Sequence, residues 1–434
     1  MSVRGAAFLG IGAMVGAGIF ALLGEAGAVA GSAVWLSFLL AGIVATLLGY
    51  NVVKLGVRYP SSGGLIAYLL QGFGNGRLVG IASWLGYFAA IVIVCSMVAV
   101  AFGSYATSLF VGDDAGAAWD NIFTSAIVVA MAAISLVGAR FVDRVQSLIV
   151  VLLLAVFAIF IAVTLVDIDT DLLAFDGYPP FSDIIASVAL TFFAYLGFSV
   201  ITFAVGDLRE PTRELPKAMY LALGVTALTY VLIALGVFGT LTVDEVVGYG
   251  ETAIAEAARP ALGDAGFTIM AIAALLATAS SVNATLYASG GLTTMLAEVG
   301  QFPPFFGRGS RLGAHAGLLI TAAIVLVVSN LVDLSAIASV GSACSLMIFL
   351  LVGVAGYRLR SETGALGLIV LVGIAATGIV LVFFAVDTLR NAPQTFIAIV
   401  AIAALAVILD AVWKRVRPEP PPDASAAPIQ SGGA

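Results

Sequence analysis

Residues 10–24 read Gly10-Ile-Gly-Ala-Met-Val-Gly-Ala-Gly-Ile-Phe-Ala-Leu-Leu-Gly24, and this stretch decides the fold. It is apolar enough to enter a bilayer, yet five of its fifteen residues are glycine. Glycine in a helix interior costs about 1 kcal/mol relative to alanine, so a helix that only faces lipid has no use for so many. Irregular backbone at membrane depth is tolerated where protein or a water-filled cavity covers it. The stretch therefore predicts a helix that breaks in mid-membrane and offers its backbone to a ligand.

The composition of the whole chain places most of it in lipid. Of its 434 residues, 62% are hydrophobic and 10% are charged, whereas soluble domains carry about 25% charged residues. Cys95 and Cys344 lie in apolar runs, which favours small buried side chains over a disulfide or a thiolate metal site. The single histidine offers little for a catalytic or metal site, and no basic face for nucleic acid is present. We expect no cofactor and no nucleic-acid partner.

Twelve apolar runs are long enough to cross a bilayer, which takes about 20 residues. The sequence therefore predicts an all-α integral membrane protein with twelve transmembrane helices. Arg4 and the Ala28-Val-Ala30 triplet also allow a signal peptide, but the first run is longer and richer in glycine than a signal core. We number the runs spans 1 to 12; they cover approximately residues 6–24, 33–53, 79–108, 120–138, 147–166, 184–206, 218–243, 266–296, 314–332, 335–357, 366–386 and 394–413.

The basic residues support this count. If the N-terminus is cytoplasmic, all the lysines and arginines except Arg259 and Arg390 fall on the cytoplasmic side. This asymmetry follows the positive-inside rule, and a wrong number of spans would scramble it. We therefore expect a multi-pass protein of the cell membrane with both termini in the cytoplasm. Residues 416–434, rich in proline, alanine, serine and glycine, are expected to form a disordered cytoplasmic tail.

Spans 1 and 6 are predicted to be matching halves of an inverted repeat. Span 1 is expected to break at Gly16-Ala-Gly18, and span 6 places small residues within Phe192-Phe-Ala-Tyr-Leu-Gly-Phe198. Two interrupted segments at matching positions indicate the binding site of a transporter. Because each half has five helices, the halves must lie in opposite orientations. The expected division of a transporter domain over 1–413 is 1–166, 182–357 and, for two extra helices, 366–413.

Three motifs resemble the amino acid–polyamine–organocation (APC) superfamily of transporters, and within it the prokaryotic amino acid permeases. They are Gly12-Ala-Met-Val-Gly-Ala-Gly-Ile-Phe20; Tyr59-Pro-Ser-Ser-Gly-Gly64 with Gly72-Phe-Gly74; and Phe192-Phe-Ala-Tyr-Leu-Gly-Phe198 followed by Asp207-Leu-Arg-Glu-Pro-Thr-Arg-Glu-Leu-Pro-Lys217. The resemblance extends from about Arg4 to about Arg417. It implies secondary active transport of an amino acid by alternating access, and no enzymatic activity.

The expected substrate site combines both breaks. Amide N–H groups that start the second half of span 1 suit a carboxylate. The resemblance implies that the carbonyls of Phe193, Ala194 and Leu196 receive the ammonium group. Close helix packing through small residues is the alternative explanation of the glycines. The predicted substrate-binding residues are Met14, Gly16, Ala17, Gly18, Phe193, Ala194, Leu196, Gly197, Phe198 and Ser199.

The resemblance also constrains the substrate. After Gly197-Phe198 many relatives carry an acidic residue, whereas this chain carries Ser199. Without that carboxylate, a cationic amino acid or a polyamine loses its natural partner. The resemblance therefore implies a neutral, apolar amino acid of small or medium size.

The coupling ion is expected to be sodium rather than a proton. Proton-coupled relatives carry a lysine in span 5, and the matching position here is Leu153. Span 8 carries Ala277-Thr-Ala-Ser-Ser281, which resembles the ion-binding segment of sodium-coupled relatives. Serines in transmembrane helices also commonly bond a carbonyl of their own helix, so proton coupling and ion-independent exchange stay open. The oxygens of the possible sodium site would come from Gly12, Val15, Ala277, Ser280 and Ser281.

Other classes of membrane protein receive less support. A channel would need rings of charge or a carbonyl filter, and a membrane enzyme would need clustered polar groups at mid-depth. Asp207, Glu298 and Asp410 lie at ends of spans, where solvated helix termini are expected. An exporter of metabolites, and either a monomer or a homodimer, stay open.

Overall fold

The computed structural model describes residues 2–61, 64–112, 116–137, 142–166, 168–307 and 315–416. Within these ranges the chain is helical and contains no β-strand, which confirms the predicted all-α class. The predicted tail lies outside the described residues except for Val416, which ends the last helix.

The helices follow in chain order, with short connections. They are α1 (Val3–Ala17), α2 (Ile19–Ala30), α3 (Val34–Arg58), α4 (Gly64–Phe73), α5 (Arg77–Tyr87), α6 (Val94–Phe110), α7 (Ala117–Val137), α8 (Val142–Val166), α9 (Phe181–Phe193), α10 (Pro211–Phe238), α11 (Val243–Tyr249), α12 (Ala253–Glu256), α13 (Arg259–Glu298), α14 (Ala316–Leu331), α15 (Leu334–Arg358), α16 (Arg360–Thr363), α17 (Gly367–Asn391) and α18 (Pro393–Val416).

Ten helical segments of the described chain are long and apolar enough to cross a membrane, and three shorter apolar helices accompany them. Each predicted span coincides with one helix or with consecutive helical segments. The protein is therefore a multi-pass α-helical membrane protein. The count of twelve and the inverted repeat stay predictions.

Span 1 is interrupted at a single residue, Gly18, which separates α1 from α2. Its φ of −88° and ψ of −64° stay in the helical region. The Gly18 N–H donates to the Met14 carbonyl at 3.0 Å, and the Leu22 N–H donates to the Gly18 carbonyl at 3.1 Å. The interruption lies inside the predicted stretch Gly16–Gly18, and it is a local bend rather than an unwound segment.

Span 6 is interrupted more deeply. Helix α9 ends at Phe193, and a 3₁₀-helix of 12 residues runs from Leu196 to Asp207. Such runs rarely exceed three or four residues because the side chains eclipse and the hydrogen bonds are poorer. The tightening begins at the junction itself, where the Tyr195 N–H donates to the Phe192 carbonyl at 2.9 Å.

Span 3 contains an irregularity that the sequence did not reveal. Residues Phe88–Ile93 form a π-helical segment between α5 and α6. Segments of this kind are rare and occur frequently at functional sites. This one packs against α14 and α15, so it faces other helices of the bundle.

Asp410 corrects an expectation about the end of span 12. The prediction of a solvated terminus is wrong, because Asp410 is only 1% exposed. Its carboxylate lies 3.0 Å from Lys414 Nζ, one helical turn away, and Lys414 also donates to the Gly76 carbonyl. Trp413 Nε1 donates to the Gly300 carbonyl at 3.0 Å. These contacts fasten α18 to the segments that precede α5 and follow α13.

Candidate functional site

The two interruptions touch each other through their backbones. A methyl group at Gly18 would lie 2.6 Å from Ala194 Cβ and 2.7 Å from the Ala194 carbonyl oxygen. A methyl group at Gly197 would lie 2.5 Å from the Met14 backbone nitrogen. Real carbon atoms do not approach this closely, so only glycine permits the crossing. The structure thus brings together Met14, Gly18, Ala194 and Gly197, which the sequence placed in one site.

Tyr230 of α10 joins the two interruptions. Its hydroxyl donates to the Met14 carbonyl at 2.7 Å and lies 3.3 Å from the Ala194 carbonyl. The side chain is fully buried, and its ring meets Tyr195 edge-on with a centroid distance of 5.2 Å. Sequence reasoning missed Tyr230, because one aromatic residue in an apolar span is typical of packing.

Three of the backbone groups proposed for the substrate have partners within the protein. The Gly18 N–H is bonded to the Met14 carbonyl, as described above. The Ala194 carbonyl lies within reach of Tyr230, and the Leu196 carbonyl accepts from Ser199 Oγ at 3.0 Å. A ligand at this crossing would therefore replace these internal hydrogen bonds with bonds to its own polar groups. Each replacement changes the free energy little as long as every polar group regains a partner.

Aromatic side chains surround the crossing on the side of α15. Phe198 is fully buried and packs on Phe349, with a ring centroid distance of 5.2 Å. The Phe193 ring lies against Gly341 of α15, where a methyl group would be 2.5 Å from its Cζ atom. One helical turn further, the Ser345 hydroxyl is buried and has no hydrogen-bond partner in the described part of the chain. Ser345 is thus a polar group available to a ligand near these rings.

The residues of the possible sodium site lie on two helices that pack together, α1 and α13. Val15, Ala277 and Ser281 are buried, at 2%, 1% and 8% exposure, and Ser280 is partly exposed. Between them, the Thr278 hydroxyl donates to the Ala274 carbonyl of its own helix at 2.7 Å. The proposed ligands are neutral carbonyl and hydroxyl groups, which suit a hard monovalent cation.

Two further polar residues of span 8 face away from the crossing. Asn283 Oδ1 accepts from Ser135 Oγ of α7 at 3.0 Å, so this side chain joins neighbouring helices. Tyr287 is 54% exposed and therefore lies on the outside of the bundle.

Comparisons with known proteins give a consistent result. The amino acid permease family matches residues 1–409. The inner membrane transport protein YbaT of Escherichia coli strain K12 is 31% identical over 94% of both chains. The methylthioribose transporter of Bacillus subtilis strain 168 is 28% identical over 69% of this chain and 67% of its own. The serine/threonine exchanger SteT of the same organism is 26% identical over 68% of this chain and 67% of its own.

A solved structure supports the fold. A manganese transporter variant from Eremococcus coleocola matches with a TM-score of 0.61 at 13% identity, over 94% of this chain and 93% of its own. At this identity the likeness concerns the fold alone. Together with the family match over nearly the whole chain, it leads to one conclusion: this protein belongs to the amino acid permease family of APC-type transporters.

Proposed function

We propose that the protein is a secondary active transporter that carries a neutral amino acid together with a cation, sodium in preference to a proton, by alternating access. The observation that carries the proposal is the backbone contact of the two interrupted spans at Gly18 and Gly197, which Tyr230 bridges. This contact places polar backbone groups of two spans together at mid-span, a depth at which irregular backbone is tolerated only where protein or a water-filled cavity covers it.

The two ends of an amino acid would be received at opposite sides of this contact. Amide groups of Gly16, Ala17 and Gly18 would take the carboxylate once the last turn of α1 opens, since they would then lie at the start of α2, where a helix carries partial positive charge. The carbonyls of Phe193, Ala194 and Leu196 would take the ammonium group. Tyr230 and Ser199 hold two of these carbonyls in the structure and would change partners as the substrate arrives.

The preference for a neutral substrate is supported by the character of the crossing. Its described side chains are apolar or carry a hydroxyl group, and the Ser199 hydroxyl donates its hydrogen bond to the Leu196 carbonyl. A lysine or arginine side chain placed among Phe193, Phe198 and Phe349 would lose its hydration without gaining a counter-ion, which is strongly unfavourable. Alanine, serine, threonine, valine or leucine would bring no such penalty.

Sodium coupling is supported by the packing of α1 on α13 and by the neutral oxygens at their contact. Gly12 and Val15 would give carbonyls from α1, and Ala277, Ser280 and Ser281 would give one carbonyl and two hydroxyls from α13. Because α1 also carries Met14 and Gly18, an ion held there would stabilise the same segment that the substrate uses.

A stability screen tests substrate and ion together. Purified protein in detergent is heated with each common amino acid, with sodium or with choline, because a ligand stabilises the state it binds by mass action. We expect stabilisation by small or medium neutral amino acids, larger in sodium. Stabilisation by arginine or a polyamine alone would contradict the substrate, and equal effects in choline would contradict the ion.

Flux measurements separate the remaining alternatives. A symporter reconstituted in vesicles that contain no amino acid accumulates labelled amino acid when an inward sodium gradient is applied. The serine/threonine exchanger SteT makes ion-independent exchange the second candidate, and uptake that requires internal amino acid would identify it. Efflux without uptake would identify an exporter, and an ion current without saturation would identify a channel.

The proposed setting is the cytoplasmic membrane, which for the relative YbaT is the inner membrane. Both termini would lie in the cytoplasm, as the basic residues predict. Cysteine labelling of single surface positions on sealed vesicles would test the orientation, and light scattering in detergent would distinguish a monomer from a homodimer.

A further inference from the structure

Two glutamates flank the place where α2 contacts the short segment 250–252. A methyl group at Gly24 would lie 2.9 Å from the Gly250 carbonyl oxygen, so the two backbones touch. The neighbouring residues, Glu25 and Glu251, are both partly buried and interact electrostatically. Span 1 was expected to end before Glu25, whereas helix α2 continues to Ala30 and therefore includes Glu25.

Other helices close around this pair. Ser335 of α15 hydrogen-bonds Glu25, and Ser104 of α6 hydrogen-bonds Glu251. Beside Ser104, Gly103 lies so close to α7 that a methyl group would be 2.6 Å from the Asp120 carbonyl oxygen. The pair is therefore held by elements from both halves of the chain, at one end of the bundle.

Acidic groups dominate the surroundings of the pair. The neighbouring base, Arg259, contacts Glu256 and Asp264, each at 2.7 Å, and its guanidinium lies over the Phe267 ring. The titratable groups near this end of the elements around Glu25 and Glu251 include Tyr105, Asp120, Asp183, Asp244, Glu245, Tyr249, Glu256 and Arg259. With most of these groups acidic, a proton is the counter-charge that requires no rearrangement of the chain.

Tyr105 provides an independent observation. Its side chain is fully buried, and its hydroxyl has no hydrogen-bond partner within the described residues. The hydroxyl interacts electrostatically with Glu251 and Glu256, and its ring packs edge-on against Phe20 of α2 at 5.7 Å. A buried hydroxyl without a partner is unfavourable, so the Tyr105 hydroxyl is available to hydrogen-bond a carboxyl group of the pair when that group changes its protonation or position.

The pKa of Glu251 agrees with this geometry. Burial raises it above the ordinary value of 4.5, and the charges of Glu25 and Asp120 raise it further, while hydrogen bonds from its own backbone and Ser104 act in the opposite direction. Two carboxylates in one poorly solvated place cannot both ionise readily. The contact is therefore stabilised by protonation, and this stabilisation is lost as the pH rises through the raised pKa.

We propose that Glu25 and Glu251 form a proton-binding pair, which holds one proton while α2 is packed on segment 250–252 and releases it to water when the two separate. The proposal rests on the alternating access proposed above, because the separation is the opening of this end of the bundle. The proton comes from water at that end and returns to it, and no other group is consumed. Acidic solution on that side thus favours the closed contact.

Infrared pH-difference spectroscopy of the lipid-reconstituted protein tests the pair directly. We expect the wild type to show a protonated carboxyl band that titrates above pH 4.5, the ordinary glutamate value. Glu25→Gln and Glu251→Gln should each move the titration of this band to lower pH, because either change removes one of the two interacting carboxylates. The matched control is Glu245→Gln, which changes an exposed acid of the neighbouring helix α11 whose pKa is lowered by hydrogen bonds from Thr242. It should leave the titration of the band unchanged.

If the glutamine variants do not fold, a second type of variant still tests the proposal. Tyr105→Phe removes only the unpartnered hydroxyl, and it should shift the band, since the phenol interacts with the pair. A wild type without the band, a titration that neither glutamine change moves, or a band unmoved by Tyr105→Phe would overturn the proposal. Stabilisation of wild type by amino acids is measured separately, so failure here does not imply failure of the proposed transport.

Discussion

At the scale of single residues, the crossing of spans 1 and 6 depends on the absence of side chains. Gly18 and Gly197 face backbone atoms of the opposite span at distances that exclude even a methyl group. Backbone cannot move aside as the end of a flexible side chain can, so these positions tolerate no substitution that keeps the crossing intact. Other glycines of the bundle have open space around them, which provides matched controls.

Gly197→Ala should therefore disable the protein. The added methyl group would meet the backbone of Ala13 and Met14, and overpacking of this kind costs about 1–3 kcal/mol of stability. Gly224→Ala in α10 meets nothing within 4 Å and should be neutral or stabilise by up to about 1 kcal/mol. Thermal unfolding in detergent and uptake in vesicles measure both effects. Equal behaviour of the two variants would show that the crossing is not tight.

Tyr230→Phe should loosen the tie between the two spans while keeping the ring packing. The hydroxyl contacts the Met14 and Ala194 carbonyls, and a net contribution of about 0.5–1.5 kcal/mol is expected for such a bond. We expect a modest fall in melting temperature and a larger fall in substrate affinity. Tyr287→Phe, whose ring is 54% exposed, is the control. Unchanged affinity in Tyr230→Phe would remove Tyr230 from the site.

Sequence reasoning at this scale found the glycines but not their partner. A run of glycines in an apolar span is improbable without a structural purpose, so Gly16–Gly18 and Gly197 stand out from the sequence alone. Tyr230 does not stand out, because the position of its hydroxyl depends on three spans meeting at one point. Glu25 was missed for a related reason, since the apolar run ends before the helix does.

At the scale of elements, hydropathy predicted where the helices lie but not their internal geometry. Every predicted run coincides with helical structure, because a backbone in lipid must satisfy its own hydrogen bonds. The 3₁₀-helix Leu196–Asp207 and the π-helical segment Phe88–Ile93 have no signature in the sequence. Their geometry is decided by neighbouring helices, and no pattern of apolar residues records it.

The contact of α1 with α13 carries a prediction about sodium. Ser281→Ala would remove one proposed ligand, and a loss of about 1–2 kcal/mol raises the sodium concentration for half-maximal uptake by roughly 5- to 30-fold. Thr278→Val is the matched control, since its hydroxyl bonds Ala274 of the same helix. Uptake measured against sodium concentration checks both. A shift in Thr278→Val, or none in Ser281→Ala, would contradict the proposed ligand set.

At the scale of the whole molecule, α17 and α18 are supports at the edge of the bundle. Much of their surface is exposed in the structure, as expected for helices that face lipid. The buried contact of Asp410 with Lys414 is the exception, and it fixes α18 to segments that lead into spans 3 and 9. The sequence predicted two additional helices here, but it could not show that one of them carries a buried charge.

Asp410→Asn should destabilise this attachment. Removing one partner of a fully buried ion pair costs about 3–5 kcal/mol, and we expect about 1–3 kcal/mol here because Lys414 is 20% exposed and reaches water. Asp387→Asn on α17, where the carboxylate accepts from exposed Asn391, should change stability little. Thermal unfolding of both variants provides the comparison. A melting temperature equal to the wild type in Asp410→Asn would show that α18 is held by apolar contacts alone.

The 3₁₀ form of residues Leu196–Asp207 gives span 6 a property of length. Twelve residues rise about 2.0 Å each in a 3₁₀-helix, so the segment spans about 24 Å, whereas an α-helix of the same residues would span about 18 Å. The difference of about 6 Å is slightly more than one α-helical turn of 5.4 Å. Conversion of this segment from a 3₁₀-helix to an α-helix would therefore bring its ends closer by about one α-helical turn, while every residue stays helical.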